Sequence, residues 1–326
     1  MTPGMCQQSE HDRRDQPVDR SSLVDIRNCA CCPRECRADR TSEKLGWCKT
    51  DGGMLISSIC AHRGEEPVFS GRRGICNIFF AHCNLQCIYC QNYQISRNHT
   101  CGHPLTDLDT VISEIERILS AGAKGVGFVS PSHSVPQMLR IIDALNSRGH
   151  RETYVYNSNG YDRVDVIRSL ESTMGVYLPD LKYMDENLGR KYSDAPDYPG
   201  IATAAIREMF RQKGAGIFLD DDKISQSGLI IRHLVLPGHV ENSKAVLRWI
   251  AGELSPSVHI SLMSQYYPTP AVRNHPKLGR TLHPEEYEEV VTEFERLGFY
   301  RGWVQELGSP HSYRPDFDLR HPFEPD

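Results

Sequence analysis

Apolar positions from Leu105 onward recur in two periods that alternate along the chain. Val111, Ile115, Ile118 and Leu119 stand at helical spacing behind Thr106 and Asp107, two residues suited to cap a helix. Short, almost wholly apolar runs read as strands: Ile75 to Phe80, Gly125 to Val129, Thr153 to Asn157, Val176 to Pro179, Leu229 to Leu236 and Val258 to Met263. Between them lie helical patterns at Val135 to Asn146, Tyr161 to Leu170, Ile201 to Gln212, Ser243 to Leu254 and Pro284 to Leu297. Near-continuous apolar strands are those of a parallel sheet buried on both faces. The order predicts an α/β fold with six βα units, too few for a closed eight-unit barrel, hence a partial (βα)6 TIM-like barrel. In such folds, function sits past the C-terminal ends of the strands. The segments there, Ala81 to Cys90, Ser130 to Ser134, Asn157 to Gly160, Pro179 to Lys182, Pro237 to His239 and Ser264 to Pro268, are polar or rich in Gly and Pro.

The stretch before residue 71 lacks this period. The expected division is a tail at 1–24, a Cys-rich metal-binding appendage at 25–70, a core barrel at 71–300 and a C-terminal extension at 301–326. The first twenty residues hold no apolar core of a secretory signal. The longest run without Asp, Glu, Lys or Arg, Gly74 to Ser96, is broken by His82 and several amides, so no membrane span is expected. A cytoplasmic location follows. Lys plus Arg number 37 against 42 Asp plus Glu, a net charge of −5 that disfavours nucleic acid as a partner.

Composition is otherwise ordinary, but all 12 cysteines lie at or before Cys101. In a reducing compartment, clustered thiols point to metal or redox chemistry more than to disulfides. Two groups stand out. Cys83, Cys87 and Cys90 form a C-x3-C-x2-C run directly after the first barrel strand. Four thiols would close a zinc site or saturate a four-iron cluster, whereas three leave one iron free to bind something else. The second group is Cys29, Cys32, Cys36 and Cys48, with Cys31 a competitor for Cys32; it suits zinc or an iron–sulfur cluster. Zinc completing the Cys83 group through His82 or His99 is the competing reading there.

With Tyr89 ahead of its third Cys, the C-x3-C-x2-C run resembles the radical S-adenosylmethionine superfamily. Further segments resemble its uncharacterised branch related to pyruvate formate-lyase activating enzymes: Cys90-Gln91-Asn92, Tyr177 to Asp185, Ile231 to Gly238, Met263 to Pro268, and the N-terminal C-x2-C-P-R-x-C. The likeness spans about residues 25 to 310 and implies a barrel of the radical-SAM type. It implies a [4Fe-4S] cluster on Cys83, Cys87 and Cys90, S-adenosylmethionine on the fourth iron, and reductive cleavage to a 5′-deoxyadenosyl radical that abstracts hydrogen.

For the cofactor the resemblance names Asn157, Asn159, Asp180, Lys182 and Arg232. The superfamily's Gly-Gly-Glu-Pro segment falls at Ser130-Pro131-Ser132-His133, without both glycines and the Glu, leaving Ser130 and Ser132 as substitutes. Asp180 and Lys182 alternate on a strand and so share a face, which also suits a plain structural ion pair. His233 reads as a core histidine. The implied partners are a one-electron donor such as flavodoxin or ferredoxin and a protein, peptide or small-molecule substrate, including a glycyl-radical protein. The alternatives are a non-enzymatic zinc-binding interaction protein and a nucleic-acid modifying enzyme of the same superfamily.

Overall fold

The computed structural model describes residues 25–71, 73–99, 104–308, 314–319 and 321–323; the tail at 1–24, Cys6 and Cys101 lie outside them. Seven strands run parallel in chain order: β2 (Ile75–Phe80), β3 (Val126–Val129), β4 (Tyr154–Asn157), β5 (Val176–Tyr177), β7 (Ser225–Leu234), β8 (His259–Met263) and β9 (Gly302–Val304). Strand β1 (Ile56–His62) pairs antiparallel with β2, and the short β6 (Phe218–Leu219) pairs with β7. The order is β1-β2-β3-β4-β5-β7-β8-β9, so β1 and β9 are the two free ends and the mostly parallel sheet does not close into a barrel. Every residue of β2, β3 and β4 is buried, as continuous apolar runs require when both faces are covered.

Strands β1 and β9 fall in stretches read from sequence as appendage and extension, yet both lengthen the main sheet. Their signal was weak because an edge strand is buried on few sides: β1 has the pattern buried, three half-buried, buried, exposed, buried. β5 is shorter than the expected Val176 to Pro179, since Pro179 has no N–H to give to the ladder. Pairing resumes at Asp180 beside Arg232.

Helix α1 (Leu108–Ser120) starts behind Asp107, whose carboxylate accepts from Thr110 N at 2.8 Å, so Asp107 alone is the cap. Helix α2 is Val135–Ser147, and α3 is Val164–Ser169 rather than the longer Tyr161 to Leu170. Before α3, Asp162 accepts from Tyr156 Oη and Ser158 Oγ, and Tyr161 N donates to Asn159 Oδ1; these bonds hold the chain out of the helix. Helix α4 (Glu186–Ser193), with Gly189 inside it, carried no apolar periodicity and was unforeseen. Helices α5 (Tyr198–Lys213), α6 (Val240–Glu253) and α7 (Pro284–Arg296) complete the outer layer. Pro199 sits in the first turn of α5, where its missing N–H costs nothing.

Residues 25–55 contain no helix or strand, and Cys29, Cys31, Cys32 and Cys48 lie buried among them. Among the described residues no helix is long and apolar enough to cross a membrane.

Candidate active site

At the C-terminal ends of the strands a cavity of about 440 Å³ opens, lined by Cys83, Cys87, Cys90, Ser130, Asn157, Asn159, Asp180, Lys182 and Arg232, among others. Strand β2 delivers the three thiols on its exit loop. Each has a donor or hydroxyl at its sulfur. Cys83 Sγ receives Asn159 Nδ2 at 3.3 Å and Leu85 N at 3.4 Å; Ser96 Oγ donates to Cys90 Sγ at 3.2 Å; Cys87 Sγ lies 3.0 Å from Ser193 Oγ. The loop is pinned from outside by Ile88 N, which donates to Tyr192 O at 2.9 Å.

Burial pushes the Cys83 thiol up to about 12 and that of Cys87 up to about 11, with Lys182 pulling the second back. Without metal Cys83 and Cys87 therefore carry protons, which a metal displaces on binding. Among the described residues no three His, Cys, Asp or Glu side chains stand ready round a single point. The donor set suits a cluster: three sulfurs in one cavity, with donors that stabilise negative charge on them.

Strand β4 ends in Asn157-Ser158-Asn159-Gly160. Gly160 has φ +79, and a Cβ there would collide with Asp180 O, so this turn can pack on β5 only with glycine. That approach brings Asn159 to Cys83 and to Asn84 Oδ1, 2.8 Å away. Lys182 Nζ bonds Asp180 Oδ2 at 2.5 Å; burial opposes its charge, but Asp180 and Cys87 hold its ammonium ionised well past the usual lysine range. Arg232 is taken up by carboxylates: it bonds Glu65 and donates to Glu66 Oε1 at 2.7 Å. Burial works against the Glu65 carboxylate, yet Arg232 and His62 keep its pKa below the ordinary value.

Ser132 does not line the cavity. Ser130 adopts a left-handed φ of +51, and the single turn Pro131–His133 then carries Ser132 into the interior beside Tyr156 and Asp162. His133 is likewise buried, donates through Nε2 to Ala81 O at 2.9 Å, and is held neutral as burial drives its pKa down to about 3. His233 is a core histidine between Leu181 O and Ser243 Oγ.

Several contacts in and behind the cavity wall went beyond the sequence reading. Ser193 reaches Cys87 from 106 residues away and continues a chain of hydroxyls, Tyr183 Oη at 2.8 Å and then Tyr89 Oη at 2.6 Å. Glu65 and Glu66 lay in a stretch read as appendage. Gln91 and Gln265, both in segments that the sequence points to, bond each other across the mouth, and the unforeseen Gln305 bonds Gln265, linking the Cys loop to the exits of β8 and β9. Pro315 and Phe323 of the C-terminal segment also line the cavity, and Phe323 stacks near His62 and Phe79.

No family model matches the chain. It is similar to an uncharacterised protein of Methanocaldococcus jannaschii, 28% identical over 275 residues, covering 82% of this chain and 74% of that protein. Among solved structures it overlaps loosely with a domain of pyruvate-formate lyase-activating enzyme from Bacteroides vulgatus, at a TM-score of 0.39 and 16% identity over 56% of this chain and all of that one. It overlaps more loosely still with spore coat polysaccharide biosynthesis protein spsE from Bacillus subtilis, at a TM-score of 0.21 and 16% identity over 66% and 72% of the two chains.

Proposed function

We propose that this protein is an iron–sulfur enzyme of the radical S-adenosylmethionine kind, with Cys83, Cys87 and Cys90 as ligands of a [4Fe-4S] cluster. The observation that carries the reading is the gathering, in one cavity, of three thiols with the ends of β3, β4, β5 and β7. The bound cluster and S-adenosylmethionine would supply one-electron cleavage of the sulfonium and removal of a hydrogen atom from a substrate.

The chain's own part is positional. The donors from Asn159, Leu85 and Ser96 stabilise negative charge on the ligating sulfurs. Asn157 and Ser130 present polar groups on the same wall, with Ser130 N held by Asn157 O at 2.7 Å. Asp180 and Lys182 offer one acceptor and one donor of opposite charge, suited to the amino acid end of the cofactor. Arg232 acts through Glu65 and Glu66, keeping two carboxylates at the cavity floor. The aromatic C-terminal segment, with Phe317 and Phe323 against Phe79, shields the interior from water.

An electron donor such as flavodoxin or ferredoxin belongs to this reading, as does a protein, peptide or small-molecule substrate entering by the open side, a glycyl-radical protein among them. Oxygen-free preparation should yield brown protein whose iron falls by about four per chain on Cys87→Ala, and dithionite with added S-adenosylmethionine should yield 5′-deoxyadenosine with the unmodified protein only. Equal release by Cys87→Ala would overturn the assignment.

A further inference from the structure

We propose that Cys29, Cys31, Cys36 and Cys48 hold a second metal centre as thiolates, with Arg40 as its buried counter-charge. Arg40 is only 3% exposed. A guanidinium stays ionised in a protein interior, and a buried charge without an opposite partner is costly. Yet the hydrogen bonds of Arg40 go to three sulfurs and one carbonyl: Nε to Cys29 Sγ at 3.2 Å, and Nη2 to Cys31 Sγ at 3.5 Å, Cys48 Sγ at 3.9 Å and His133 O at 2.6 Å. Its Nη1 is buried with no partner. Neutral thiols are weak acceptors and supply no charge. Four thiolates on a divalent ion, or on a four-iron cluster with a doubly positive core, leave a net negative charge, which is what the guanidinium lacks.

Independent contacts select the ligands. Cys29 and Cys31 Sγ lie 3.7 Å apart, near the roughly 3.8 Å edge of a sulfur tetrahedron with bonds of about 2.3 Å to one ion; among the described residues no three ligands already converge on one point, so the other thiols close in as the metal binds. Cys36 lies against Cys29 and receives the backbone N–H groups of Ala38 and Trp47, the donors that suit a charged sulfur. Gly46 leaves room for it, since a Cβ there would stand 2.5 Å from Cys36 Sγ. Cys31 takes the place that spacing offered to Cys32, because Arg40 reaches Cys31.

The centre's position suggests its work. Arg40 donates to His133 O, with Cys31 Sγ 3.5 Å from the same oxygen, and His133 donates in turn to Ala81 O. The N-terminal module thus braces the Ser130–His133 turn and the residue that leads into the Cys83 loop. Zinc and an iron–sulfur cluster share the required chemistry, and metal analysis separates them.

The test uses the full chain with Cys83, Cys87 and Cys90 all changed to Ala, purified without oxygen, so that its result is independent of the metal in the cavity. Elemental analysis should find about one zinc or about four irons per chain remaining. Adding Cys31→Ser or Arg40→Gln should lower that content at least tenfold, while Arg40→Lys keeps most of it. A metal-free triple variant would overturn the proposal, as would undiminished metal in Arg40→Gln. Should that variant fail to fold by circular dichroism, Gly46→Ala decides instead: release of the metal to a chelator should quicken several-fold, and an unchanged rate counts against the centre.

Discussion

Asn159 is bonded at both ends of its side chain: its amide N–H groups go to Cys83 and Asn84, and its oxygen accepts from Tyr161 N. Asn159→Ala should cost roughly 1–3 kcal/mol in denaturant unfolding through the buried groups left unpaired. Arg232 and its carboxylates behave differently, because removing one side strands a buried charge. Arg232→Met should destabilise by about 3–5 kcal/mol, and adding Glu65→Gln and Glu66→Gln should restore a good part of it in the same assay. His233 gives a pH signature. Burial lowers its folded pKa to about 4, below the roughly 6.5 of an unfolded chain, so the unfolded state binds the extra proton between those values and stability falls as pH drops through them. The unfolding free energy of the native protein relative to His233→Asn should therefore shrink between about pH 6.5 and 4; a constant difference would mean that the ring is not held neutral.

Elements here owe their limits to side chains at their ends. Helix α7 starts with a capping box in which Glu286 accepts from His283 N at 3.0 Å, while it also accepts from Gly238 N and pairs with Arg280. Arg280 holds the Glu286 carboxyl down to about 2. Its contribution is complete above the unfolded carboxylate pKa of about 4.3 and lost as pH falls through the folded value. Thermal unfolding of Glu286→Gln should accordingly lie below that of the native chain at pH 6 and converge with it near pH 2. The βα series itself was readable because apolar runs and 3.6-residue periods follow from burial on one side or two. Helix α3 was overestimated and α4 missed, since competing side-chain bonds decide the first and a mostly polar exposed surface hides the second.

For the whole molecule, the unpaired ends β1 and β9 make the site possible and create a gap that must be covered. Aromatic residues of the C-terminal segment lie beside it: Phe317 and Phe323 pack on Phe79. A chain ending at Gly308 should bind 1-anilinonaphthalene-8-sulfonate more strongly than the full chain, since Phe79 and its neighbours would meet water; equal fluorescence would show that the segment covers nothing. Local sequence determined the alternation of strands and helices, the parallel sheet and the three-thiol loop at its C-terminal edge, because periodicity and ligand spacing are short-range properties. Only tertiary structure decided that Ser193 reaches Cys87, that Glu65 and Glu66 reach the cavity, that Ser132 turns inward, and that Arg40 stands among the N-terminal thiols. Those outcomes depend on contacts between residues far apart in the chain, which folding brings together and no local pattern encodes.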